Sequence, residues 1–148
     1  MHAEDRAAIA DTIYAYAYAW DGQDLEAYLK VYTEDAVWEA FAAGASQAEI
    51  HLPNREAIRK WAEERLARRK GKFVSRHFQT NIVYDHLDRD SARTRTMVLV
   101  THQGVDDAVP SLMLSAVCID EHRRTPEGWR MRRRSVYHDR HTPYVTST

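Results

Sequence analysis

One cysteine, Cys118, serves the whole chain, which excludes an internal disulfide and any cysteine-rich metal site. It lies in the strand-like run Leu112-Met113-Leu114-Ser115-Ala116-Val117-Cys118-Ile119, where a thiol reads as a small apolar core residue. No apolar stretch approaches the roughly 20 residues that a membrane-spanning helix needs. The first residues, Met1-His2-Ala3-Glu4-Asp5-Arg6, lack the basic start and apolar run of a secretory signal, so the expected location is cytoplasmic. Charge of one sign is lacking too. The formal net charge of −1 gives no electrostatic case for nucleic acid or an anionic membrane as partner. The one basic run, Arg130-Met131-Arg132-Arg133-Arg134, falls in a strand-like segment and is expected to form a solvated or interface face. Serine triads, phosphate-binding loops and dinucleotide fingerprints are absent, as are repeats and low-complexity segments.

What is present suits one domain. The 148 residues are 44% hydrophobic and 29% charged, enough to bury one core under an ordinary surface. The domain is expected over 1–140, with a loosely held tail over 141–148. Ala3 to Trp20 reads as a helix with Glu4 and Asp5 in its first turn. Asp21-Gly22-Gln23-Asp24 breaks it, and Asp24 can cap a second helix from Leu25 to Tyr32. Thr33-Glu34-Asp35 is expected as a turn before a strand, Ala36 to Phe41. Ala42 to Pro53 reads as a loop or edge hairpin, and Asn54 caps a third helix, Arg55 to Arg69. Four long segments follow: Phe73 to Asp85, Ala92 to Gln103, Val109 to Glu121 and Trp129 to Asp139. Short turns join them, so they predict hairpin-connected strands. Helices on one face of a bent antiparallel sheet make an α+β layer structure, a cone with a pocket inside.

The most informative stretch is Ile13-Tyr14-Ala15-Tyr16-Ala17-Tyr18-Ala19-Trp20-Asp21. It ends an aromatic and small-residue helix on a carboxylate. Ile9, Ile13, Tyr16 and Trp20 form one helical stripe; Tyr14, Ala17, Tyr18 and Asp21 form its neighbour. An aspartate beside an aromatic-lined space needs a partner, and His77 and His102 on downstream strands can supply one. If His77 points inward, alternation turns Phe73, Ser75, Gln79 and Asn81 inward with it. The opposite set, Val74, Arg76, Phe78, Thr80, Ile82 and Tyr84, is the more apolar. Both faces are buried if the outer one meets another subunit. A neutral imidazole can move a substrate proton, and a buried carboxylate fixes its tautomer and stabilises the imidazolium. Asp21, His77 and His102 also satisfy a two-histidine, one-carboxylate count, but nothing in their spacing favours a metal, and neither metal nor cofactor is expected.

The order and spacing of Tyr-x-Trp-Asp, Asp24-Leu25, Tyr32-Thr33-Glu34-Asp35-Ala36, Arg76-His77-Phe78-Gln79-Thr80-Asn81 and Gly128-Trp129-Arg130-Met131 resemble the SnoaL-like branch of the nuclear transport factor two-like superfamily. The resemblance spans nearly the whole chain and is strongest to the scytalone dehydratase and bile-acid dehydratase group. It implies a cone-shaped barrel of strongly bent mixed or antiparallel sheet closed by three N-terminal helices. It also implies a homodimer or homotrimer, which the apolar outer set on the sheet would place through the outer sheet face. Asp21 and His77 match the group's aspartate and histidine, and His102 falls about where a second histidine stands on the next strand. Trp20 replaces a tyrosine before the aspartate, so Tyr14 and Tyr18 are the substitutes for hydrogen bonds to substrate. Trp20, Val37 and Phe41 are expected in the pocket wall.

The resulting expectation is a cofactor-free lyase, most simply a dehydratase, acting on a small hydroxylated aromatic or polycyclic compound. The same base could instead drive retro-aldol carbon–carbon cleavage, ketosteroid-type isomerisation or polyketide cyclisation. A reading from another class is a non-catalytic small subunit of a ring-hydroxylating dioxygenase. An open cavity of about 300 Å³ or more containing both Asp21 and His77 would favour the enzyme, and a collapsed cone the non-catalytic subunit.

Overall fold

The computed structural model describes residues 2–140; the tail expected over 141–148 lies outside them. Three helices are described, α1 (His2–Asp21), α2 (Leu25–Lys30) and α3 (Arg55–Arg69). The strands are β1 (Tyr32–Phe41), β2 (Ile50–Leu52), β3 (Phe73–Leu87), β4 (Ser91–Gly104), β5 (Ser111–Thr125) and β6 (Gly128–His138). They form one six-stranded sheet in the order β2-β1-β6-β5-β4-β3. Its two edges do not pair, so the sheet is an open, mixed one and not a closed barrel. The β1–β6 pair is parallel and all others are antiparallel.

Local chemistry explains the helix ends. Gly22 N–H bonds Tyr18 O and Asp24 N–H bonds Ala19 O, with Gln23 in the left-handed region at φ 59°. A side chain at Gly22 would begin 2.9 Å from Tyr18 O, so the turn that halts α1 after Asp21 needs glycine. Asp24 and Asn54 cap α2 and α3 by accepting from Ala27 N–H and Ala57 N–H. Helix α2 ends at Lys30, two residues short of the expected Tyr32. Thr33-Glu34-Asp35 is strand, not turn, and lies where the β1–β6 register shifts between Tyr32 and Val37.

The helices cover one face of the sheet. Ile9, Ile13, Tyr16 and Trp20 of α1, Tyr28 of α2 and Ile58 of α3 bury against it. The opposite face leaves Val74, Phe78, Met97, Leu99 and Leu112 exposed. Two irregularities re-aim side chains. Asn81 has φ 55° inside a register shift between Thr80 and Val83, which turns Asn81 outward and Ile82 toward the core. The expected inward Asn81 is thereby corrected. On β6 a shift opposite Glu121 and His122 leaves Arg132 as an extra residue. Met131 and Arg134 therefore both point in, and Arg134 is 0% exposed. The expectation of a solvated or interface face for the basic run fails at Arg134. No described helix is long and apolar enough to cross a membrane.

Candidate active site

The tight end of α1 brings Asp21 against the start of β3. Asp21 Oδ1 lies 2.7 Å from His77 Nδ1, and Oδ2 accepts the His77 backbone N–H at 2.8 Å. An ionised carboxylate only accepts, so Nδ1 donates to Asp21 and Nε2 is the ring nitrogen outside this pair. Ser75 Oγ donates to the same Oδ1 at 2.5 Å and accepts from Arg69 Nη2 at 2.5 Å. Both Ser75 and Arg69 are buried. The guanidinium of Arg69 also lies over the rings of Trp20 and Phe73. Burial opposes ionisation of Asp21, but the His77 ring, Ser75 and the backbone N–H outweigh it and hold its carboxyl below the usual range. The assembly is a chain of charge and hydrogen bonds from Arg69 through Ser75 and Asp21 to His77.

His77 lines a hollow between the sheet and the helices, whose wall includes Tyr16, Trp20, Trp38, Trp61 and Leu114. Trp61 stacks on Trp20 at 5.5 Å and meets Trp38 at 4.9 Å between ring centres. Gln79, Cys118, Arg134 and His138 add the polar groups. The hollow and its mouth enclose about 580 Å³ free of atoms, of which about 50 Å³ admits the centre of a water molecule. Its water-accessible space is smaller than the roughly 300 Å³ of a usual ligand site. Asp21 is not in the wall; it stands behind His77, in an outer cleft with Tyr18 and Arg76.

The sequence-derived residues divide accordingly. Trp20 and His77 line the hollow. Tyr18 is 83% exposed and Tyr14 is 43% exposed, so neither faces it. They share the Asp21 stripe, and that stripe sits at the helix edge, while the hollow meets the Ile13–Tyr16–Trp20 stripe. Val37 and Phe41 are corrected by strand alternation: Trp38 and Ala40 point in, and Phe41 stacks on Tyr137 outside at 4.5 Å. His102 pairs in register with Ser75, but its ring stacks on Phe73 at 4.3 Å and does not line the hollow. Burial, with help from Arg69 and His77, lowers its pKa to about 4, so it is neutral at neutral pH.

Sequence reading missed four groups. Tyr16, counted as core, meets the His77 ring edge-on at 6.4 Å. Arg69 looked like an ordinary basic residue in a last helical turn. Trp38 lay one residue from the wall position assigned to Val37. Arg134 is held by Asp120 through two bonds, 2.8 Å from Nε and 2.7 Å from Nη2. Cys118 is buried as expected, and burial pushes its thiol up to about 12. Among the described residues, no group of three or more His, Cys, Asp or Glu is placed to hold a metal ion.

Comparison with solved structures gives the same architecture. A candidate aromatic ring hydroxylase from Novosphingobium aromaticivorans is 29% identical, with a TM-score of 0.75, over 91% of this chain and 89% of that one. A candidate scytalone dehydratase from the same organism is 20% identical, with a TM-score of 0.76, over 95% and 91%. The beta subunit of benzoate 1,2-dioxygenase from Burkholderia mallei is 16% identical, with a TM-score of 0.75, over 88% and 87%. No curated protein matches. The SnoaL-like domain family matches residues 1–135, and the chain, with its nuclear transport factor two-like, cystatin-like fold, belongs to that family.

Proposed function

We propose that this protein is a cofactor-free lyase that eliminates water from a small, largely apolar ring compound bearing a hydroxyl group. The observation that carries the reading is the double hold of Asp21 on His77 beside an aromatic hollow. His77 Nε2 takes a proton from a carbon next to the one bearing the hydroxyl. The electron pair forms the new double bond as the carbon–oxygen bond breaks. The imidazolium returns its proton to the departing hydroxide, so water leaves and the base is restored. Asp21 is the positioning residue: it fixes the tautomer and stabilises the imidazolium between the two transfers. Ser75 and Arg69 hold Asp21, and His102 supports the site through Phe73. Carbon–carbon cleavage by the same base begins at the substrate hydroxyl instead of a carbon.

The test is a screen of hydroxylated bicyclic compounds by ultraviolet absorbance, which reports new conjugation. A substrate turned over by the protein, with most turnover lost in His77→Ala, supports the reading. Near-full activity in that variant would sink it.

The narrow hollow and the exposed apolar outer face favour a second reading, a non-catalytic subunit that braces a larger oxygenase. We propose self-association through that outer face as the alternative to a large partner. A homodimer or homotrimer that dissociates in Phe78→Lys favours self-association; a monomer that assembles only with an oxygenase subunit favours the second reading.

A further inference from the structure

We infer that Trp38 and Arg134 together receive a ring-borne carbonyl oxygen in the hollow that His77 lines; this rests on the reading above that the hollow takes an oxygenated ring compound. Trp38 Nε1 and Arg134 Nη1 are buried N–H groups without a hydrogen-bond partner. Both residues line the hollow. They are register partners on β1 and β6, so their side chains leave the same face of adjacent strands about 4.8 Å apart.

The rest of Arg134 is committed. Nε and Nη2 serve Asp120, Nη2 also donates to Gln79 Oε1 at 3.0 Å, and the guanidinium lies 4.0 Å from the centre of the Tyr16 ring. Only Nη1 lacks a partner. Orphaned buried donors are unfavourable and rare, and each invites an acceptor. Neither group can accept, so a ligand hydroxyl would have to use its oxygen and a ligand cation is refused. Asp120 offsets the arginine charge, which favours a neutral carbonyl that gains negative character during reaction over a permanent carboxylate.

The position suits that use. Gln79 follows His77 by two residues on the same face of β3, about 7 Å away, and Arg134 bonds Gln79. A ring ketone held by Trp38 and Arg134 would turn another part of its ring system toward His77. Proton removal there sends charge through the conjugated system to the oxygen, where two donors wait.

The experiment compares α-tetralone with tetralin, the same bicycle without its carbonyl, by titration followed in 15N–1H spectra. The Trp38 indole signal is identified by its loss in Trp38→Phe. The ketone should bind about tenfold more tightly than the hydrocarbon and move the Trp38 signal downfield, and tetralin should not. Trp38→Phe should cut the ketone preference by at least about threefold. Replacing the buried pair together, Asp120→Leu with Arg134→Met, should cut it by a similar factor, and adding Trp38→Phe should abolish it. His77→Ala should keep the preference, which separates this site from the catalytic reading. Equal binding of the two compounds, binding of neither, or a ketone preference unchanged in Trp38→Phe with an unmoved indole signal would overturn the inference.

Discussion

Ser75 ties its hydroxyl to the same Asp21 oxygen that holds the His77 ring, at 2.5 Å against 2.7 Å for the imidazole. Ser75 stands two residues before His77 on one face of β3, so the strand delivers both contacts to one carboxylate. The aspartate is thus aimed from two sides before any substrate arrives.

Ser75→Ala removes one of these holds, together with the oxygen that Arg69 Nη2 bonds. Ser75 does not line the hollow. Turnover of a substrate should fall about three- to thirtyfold in kcat, with KM little changed, since a positioning contact is lost and no binding contact is. Steady-state kinetics check this; a change confined to KM would contradict it.

Stability should fall on acidification through the histidines. His122 is 2% exposed, and burial pushes its pKa to about 4, with Asp120 opposing and Arg134 assisting. The unfolded chain takes up that proton near the ordinary value of 6.5, the folded chain only near 4. Across that window the unfolded state holds more protons, so unfolding free energy decreases as pH drops, by up to about 3 kcal/mol for His122. His102 acts in the same direction from a wetter position. Urea unfolding at pH 7 and pH 4.5 should show the loss, and His122→Gln should flatten it. An equal pH dependence in that variant would contradict the assignment.

The Asp120–Arg134 pair is fully buried. Arg134→Met alone leaves a carboxylate in the core without its cation and should cost about 3–5 kcal/mol. That corresponds to a drop in Tm of about 10 °C or more. Asp120→Leu combined with Arg134→Met removes both charges and should recover most of the loss. Thermal unfolding of the three proteins decides; a double variant less stable than the single one would contradict this.

The sequence carried more of the fold than of the hollow. Helical periodicity, the Asp24 and Asn54 caps and the turns between β3, β4, β5 and β6 all act over a few residues, so they could be read in place. Asp21 was legible because an aspartate ending an aromatic helix has few possible uses; the residues alone left His77 and His102 both open as its partner, and the family resemblance pointed to His77. The Tyr14–Tyr18 stripe misled because sharing a helix face with Asp21 does not mean facing the cavity. Val37 was one residue out of phase with Trp38, and a period of two turns that slip into the opposite face. Arg134 depends on a single extra residue on β6, which nothing in a run of arginines announces. Its partner, Asp120, lies on another strand. Such pairings exist only once the sheet has formed.

We propose that Asp21 acts through His77 and not beside it. The direct measurement is a double-mutant cycle on kcat/KM with a substrate from the hydroxylated bicyclic screen, using Asp21→Asn, His77→Ala and the two combined. In that case His77→Ala costs about 10²–10⁴ and adding Asp21→Asn lowers the rate little further. Two independent losses that multiply in the combined variant would contradict it.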